Sequence, residues 1–207
     1  KIYHTLSKPE ELLSIELPED CVIKFNNLSS SKSVVFRKSG AFKGFSSLKE
    51  VVVHLKRNNQ QHRKCQASIK QILQKVIIEE LLLDSSKDTD LRDIKLYCFN
   101  GRVEYVLITQ NFVEKRTWRH YDRNFNRIKI QVRDDSLDLK DEKPKYLNQI
   151  IEYGDILASK FCPNTMVRID FFSTTQGPVF GEFTFNPNGG NGFDLKADIK
   201  MGNLLRR

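Results

Sequence analysis

Residues 166–185 read MVRIDFFSTTQGPVFGEFTF, two runs of alternating character separated by turn residues. Met166–Thr174 and Pro178–Phe185 are expected to be strands of a hairpin about Thr175-Gln176-Gly177, because a three-residue loop ending in glycine suits a type I turn closed by a left-handed residue. That register sets Thr174 opposite Pro178, Phe172 opposite Phe180, Asp170 opposite Glu182 and Arg168 opposite Thr184. Side chains two apart share a face. Arg168, Asp170, Glu182 and Thr184 then form one polar patch, while Ile169, Phe171, Phe183 and Phe185 point into a core. A two-residue turn would instead send Asp170 and Glu182 to opposite faces.

Two carboxylates directly opposed across strands repel, by up to ~4 kcal/mol at ~4 Å and an effective dielectric of ~20. A divalent cation would remove that repulsion, and hard Mg²⁺ favours one or two carboxylates together with phosphate oxygens and water. The plainer reading is a solvated sheet face on which Arg168 neutralises Asp170.

Outward from this hairpin the chain reads as α+β with mainly antiparallel strands. Asn100-Gly101 is a strong hairpin signal between Asp93–Phe99 and Arg102–Thr109. A second hairpin is expected between Lys115–Tyr121 and Arg127–Val132. Strands are also expected at Cys21–Phe25, Ser33–Arg37 and Val76–Leu81. Ser7-Lys8-Pro9-Glu10 reads as a capping box opening a short helix to Ser14, and Ser47 with Glu50 as another opening a helix over Leu48–Arg57. Asn58–Gln61 resembles a linker, and Lys64–Gln74 has helical character. Pro144–Phe161 is the clearest helix, with Leu147, Ile150, Ile151, Leu157, Ala158 and Phe161 along one face.

Composition narrows the function. Hydrophobic residues at 39% and charged residues at 29% describe a globular chain, and no apolar run approaches the ~20 residues of a membrane span. The net charge of +8 invites a nucleic-acid partner. Against it, the densest basic stretch (Lys56, Arg57, His62, Arg63, Lys64) carries no interleaved aromatic residue to stack on bases. A basic chain that handles nucleotide phosphates explains the same charge. Cys21, Cys65, Cys98 and Cys162 are scattered without metal-ligand spacing, which fits free thiols in the cytoplasm. Lys24 and Lys95 each interrupt an apolar strand pattern and could hold a phosphate. Snorkelling is the alternative for Lys24, and pairing with Asp93 the alternative for Lys95.

The segments Leu17-Pro18…Val22-Ile23-Lys24, Ile77–Glu80, Asp93–Gly101, Val167–Phe171 and Phe180–Phe185, in that order, resemble the TupA-like ATP-grasp family of surface-polysaccharide biosynthesis. The resemblance implies the ATP-grasp fold, two α+β subdomains clamping Mg·ATP between antiparallel sheets. A lid subdomain would span 1–82, lacking the family's upstream pre-grasp region, and a subdomain with the metal site 83–207. By resemblance, Lys24 and Lys95 contact phosphates, Glu79, Glu80 and Leu81 line the adenine pocket, and Asp170, Glu182 and Thr184 hold Mg²⁺. Arg168 stabilises the charge of an acyl-phosphate or tetrahedral intermediate. The activity implied is ligation of a carboxylate, a uronic acid or amino acid, to an amine. The loop Asn26–Ser31 carries no glycine, and the alternatives are a nucleotide-binding module without catalysis, an ATP-grasp kinase, or an accessory enzyme to a glycosyltransferase.

Overall fold

The hairpin that decides the fold is present, with a different turn. In the computed structural model, which describes residues 1–26, 34–63, 73–86, 91–112, 115–130, 142–190 and 193–206, Met166–Thr174 (β9) pairs antiparallel with Gly177–Thr184 (β10). Thr174 faces Gly177 across a two-residue turn, so Pro178 faces Ser173 and Phe180 faces Phe171, each one residue away from the expected pairing. Thr174 Oγ1 donates to Gly177 O (2.7 Å) and accepts from Gln176 N (3.1 Å), closing the turn. A β-bulge at Gly181 then absorbs the extra residue, and the pairs Glu182–Asp170 and Thr184–Arg168 stand as expected. A Cβ at Gly181 would lie 3.0 Å from the Asp170 carbonyl oxygen, so any side chain there crowds the backbone of β9.

β9 is central in a five-stranded antiparallel sheet ordered β10-β9-β6-β7-β8, where β6 is Asp93–Phe99, β7 Arg102–Phe112 and β8 Lys115–Asp122. The expected hairpin after β8 is reduced to one bridge, Tyr121 to Arg127, and β8 pairs back along β7 instead. Positions 131–132 of that expected strand lie outside the described residues. On one face, Ile94, Leu96, Cys98, Ile169 and Phe171 pack against a helix, Leu147–Phe161. Gly154 of that helix lets it sit close, since a Cβ there would meet Leu96 Cδ1 at 2.4 Å and Val103 Cγ2 at 2.8 Å. Phe161 and Phe185, expected inside, are 60% and 67% exposed because each lies past the end of its regular element's buried stretch. On the other face Tyr97 and Phe99 lie under a C-terminal helix, Leu195–Leu205, which the sequence pattern did not reveal.

A second five-stranded antiparallel sheet is ordered β1-β5-β2-β3-β4, from Ile2–Leu6 (β1), Cys21–Phe25 (β2), Val35–Lys38 (β3), Ala41–Phe42 (β4) and Val76–Glu80 (β5). Its core of Cys21, Ile23, Phe25, Val35, Val76 and Ile78 packs on Val51, Val52 and Leu55 of helix α1, Leu48–Arg63. The α1 helix continues through Asn58–Gln61, so that stretch is no linker. Most of Lys64–Gln74 and the loop at 27–33 lie outside the described residues. Pro9–Ser14 is a 3₁₀ helix without the expected capping box, and Ser7 N donates to Glu11 rather than to Glu10. Residues Lys1–Leu81 and Leu82–Arg207 form two compact units, one around each sheet.

The second unit opens on a buried ion pair. Asp84 accepts from Arg92 Nη2 (2.8 Å), Arg92 Nε (3.1 Å) and the Arg92 and Ser86 amides, and both side chains are almost wholly buried. Burial pushes the Asp84 carboxyl up, but the Arg92 hydrogen bonds outweigh it and hold the carboxyl below its ordinary range. Arg92→Met leaves a buried carboxylate unmatched and should lower stability by about 3–5 kcal/mol. Because the folded value is depressed, the stabilisation is present above the unfolded value of about 3.9 and is lost as pH falls through the folded one. The urea midpoint of the wild type should therefore fall in acid more steeply than that of Asp84→Asn. Gly181→Val should cost about 1–3 kcal/mol by forcing its side chain against the Asp170 carbonyl, read from the same urea midpoints.

Candidate active site

The two sheets carry different parts of the expected site. In the first unit, Lys24 of β2 and Glu79 of β5 pair, Nζ to Oε1 at 2.5 Å, with both side chains about a third exposed. Glu80 closes β5, and Leu81 follows it half-buried. In the second unit, Lys95, Arg168, Asp170, Glu182 and Thr184 meet on one sheet face. Lys95, Asp170 and Glu182 stand directly across from one another on β6, β9 and β10, and Tyr97, Arg168 and Thr184 form the next row.

This register follows from alternation. Asp93 and Lys95 of β6 share the face of Tyr97 and Phe99, opposite Ile94, Leu96 and Cys98. The apolar end of that face lies under the C-terminal helix, and the charged end carries the network.

Arg168 grips Asp170 with two hydrogen bonds, Nε to Oδ1 at 2.7 Å and Nη2 to Oδ2 at 2.8 Å. Lys95 Nζ donates to the same Oδ2 at 2.6 Å and pairs with Asp93 Oδ2 at 2.5 Å. Thr184 Oγ1 donates to Glu182 Oε1 at 3.1 Å. Burial disfavours the Arg168 charge, but hydrogen bonding to Asp170 and its charge outweigh this and raise the guanidinium above its ordinary value. Both plain alternatives from the sequence are therefore realised, Arg168 with Asp170 and Lys95 with Asp93.

The three oxygen donors assigned to a metal converge on one positive nitrogen. Arg168 Nη2 lies 2.8 Å from Asp170 Oδ2, 3.0 Å from Thr184 Oγ1 and 3.4 Å from Glu182 Oε1. A set of two carboxylates and a hydroxyl gathered about a positive charge fits a hard divalent cation that completes its shell with water and phosphate. Among the described residues, no three His, Cys, Asp or Glu side chains cluster as a protein-only metal cage. The described cysteines are all buried, and burial pushes the Cys21 and Cys98 thiols up.

Paired antiparallel sheets flanked by helices in two α+β units make up the ATP-grasp fold. The family model for TupA-like ATP-grasp matches residues 3–206, and the chain belongs to that family. An L-amino acid ligase from Bacillus licheniformis superposes with a TM-score of 0.51 at 12% identity over 90% of this chain and 39% of that one. A D-alanine–D-alanine ligase from Helicobacter pylori gives 0.48 at 14% identity over 98% and 54%. The chain thus spans about half or less of the length of these ligases. No curated protein matches it in sequence.

Asp170→Asn and Glu182→Gln should separate the two carboxylates. Asp170 is 4% exposed and balances two cations, so its neutralisation should cost about 3–5 kcal/mol. Glu182, whose side chain is 65% exposed, should change stability by less than about 0.5 kcal/mol in urea titrations without nucleotide.

Proposed function

We propose that the chain is the ATP-grasp portion of a Mg·ATP-dependent carboxylate–amine ligase of surface-polysaccharide biosynthesis, working in the cytoplasm. Membership of the TupA-like ATP-grasp family sets the class, and the convergence of Asp170, Glu182 and Thr184 on Arg168 Nη2 is the observation that carries the reading. Residues 1–82 serve as the lid and 83–207 as the subdomain with the metal site.

Chemically, a substrate carboxylate oxygen attacks the γ-phosphorus of ATP and ADP leaves, giving an acyl phosphate. An amine then attacks the carbonyl carbon and inorganic phosphate leaves, forming the amide. In such chemistry the protein supplies position and charge neutralisation more than covalent steps. Lys24 and Lys95 bind phosphate oxygens, each exchanging a carboxylate partner for one. Glu79, Glu80 and Leu81 offer their backbone to the adenine edge. Asp170, Glu182 and Thr184 hold Mg²⁺, which screens the phosphate charges when bound. Arg168 stabilises the negative charge that develops on the phosphoryl group and the carbonyl oxygen. A uronic acid or an amino acid supplies the carboxylate.

Thermal unfolding with and without Mg·ATP tests the site. Ligand that binds only the folded state stabilises it by about 2.7 kcal/mol at a hundredfold excess over Kd. The wild type should show a magnesium-dependent rise in Tm, and Glu182→Gln a smaller one. Phosphate release that requires both a carboxylate and an amine then marks a ligase, since a kinase would release none. Absence of any shift at millimolar Mg·ATP overturns the reading.

A further inference from the structure

The family resemblance gives Asp93 no role of its own, yet Asp93 holds one side of the Lys95 ammonium. Nζ sits 2.5 Å from Asp93 Oδ2 and 2.6 Å from Asp170 Oδ2, and the side chains of Lys95, Asp93 and Asp170 are 13%, 21% and 6% exposed. The ammonium is thus held by two largely buried carboxylates, one from its own strand two residues away and one from the strand beside it. Asp170 has a competing commitment, because Arg168 takes both of its oxygens as well.

We propose that Asp93 is a positioning residue for Lys95 in the binding of a divalent metal–nucleoside triphosphate, an inference that rests on the function proposed above. A divalent cation on Asp170 removes the counter-charge of Lys95 and at the same time repels the ammonium. A lysine stem with four rotatable carbons and a strongly hydrated head would then swing off the sheet face. Asp93 keeps a counter-charge at hydrogen-bond distance and leaves the other ammonium protons for a phosphate oxygen. Asp170 can hand its oxygens to the metal without Lys95 leaving its place.

A double-mutant cycle read by calorimetric binding of Mg²⁺ with a non-hydrolysable ATP analogue tests this. Asp93→Asn should weaken binding about tenfold, and Asp93→Glu, which keeps the charge, should recover most of the loss. In a Lys95→Met background the same Asp93→Asn change should alter affinity by less than about twofold, because Asp93 then has no lysine to hold. A merely structural role would lower Tm in every background and leave the affinity of the folded protein unchanged. Unchanged affinity in Asp93→Asn, or an equal loss with and without Lys95, overturns the proposal. If Asp93→Asn does not fold, Asp93→Ser, which also removes the charge, is read with and without Lys95 in the same way. A wild type that binds no metal–nucleotide overturns the parent function instead, so the two failures are told apart.

Discussion

A carboxylate buried in the middle of a sheet has to be matched by positive charge, and Asp170 is matched twice, by the guanidinium of Arg168 and the ammonium of Lys95. That requirement ties three strands together. Lys95 must come from β6, Arg168 from the same strand as Asp170, and Glu182 and Thr184 from β10, and all must face one way. Any register slip of one residue would place a charge against Ile94, Ile169 or Phe171 on the helix-covered side, where an unpaired ion is strongly disfavoured. The charged network therefore specifies the pairing of the sheet as firmly as the apolar face does.

The alternation of Val167–Phe171 and of Ile94–Cys98 made the two faces of β9 and β6 readable from sequence, and with them the pairs Arg168–Asp170 and Asp93–Lys95, whereas the pairing of β6 with β9 that brings Lys95 to Asp170 is a long-range contact no local pattern shows. The β9–β10 register was legible only in part. The turn is one residue shorter than the glycine at position 177 suggests, and the bulge at Gly181 restores the count, so two opposite shifts of one residue leave Asp170 facing Glu182. A glycine inside a strand does signal a bulge or a close backbone approach. That signal stood at Gly181 and outranks the turn in deciding which side chains share a face.

Elsewhere the local pattern lost to long-range structure. Asn58–Gln61 has the polar composition of a connector, yet propagation of a helix already nucleated over Leu48–Arg57 needs only one hydrogen bond per added residue. Leu195–Leu205 has no strong caps in sequence beyond Asp194, whose side chain accepts from Ala197 N, and it is held by burying Ala197, Met201 and Leu204 against the sheet. The Asp84–Arg92 pair spans a polar stretch in which neither residue stands out, and only the folded sheet brings the two into burial together.

The same charge arithmetic bears on how such a face can work. Asp93, Asp170 and Glu182 against Lys95 and Arg168 leave one negative charge in excess, and the most exposed of the carboxylates is Glu182. A cation is thus drawn to the β10 side of the network, toward the oxygens already gathered about Arg168 Nη2. A cation bound there, as proposed, would loosen the hold of Asp170 on Arg168 and Lys95 together, because both share that one carboxylate. Both positive side chains would then be open to an anion on the same face. At Asp170, the most buried of these carboxylates, opposite charges exchanged one for another avoid the desolvation that creating a new buried ion would demand. Preformed ion pairs at Asp170 would thus let the proposed site take a cation and an anion by exchange of partners rather than by burying a new charge.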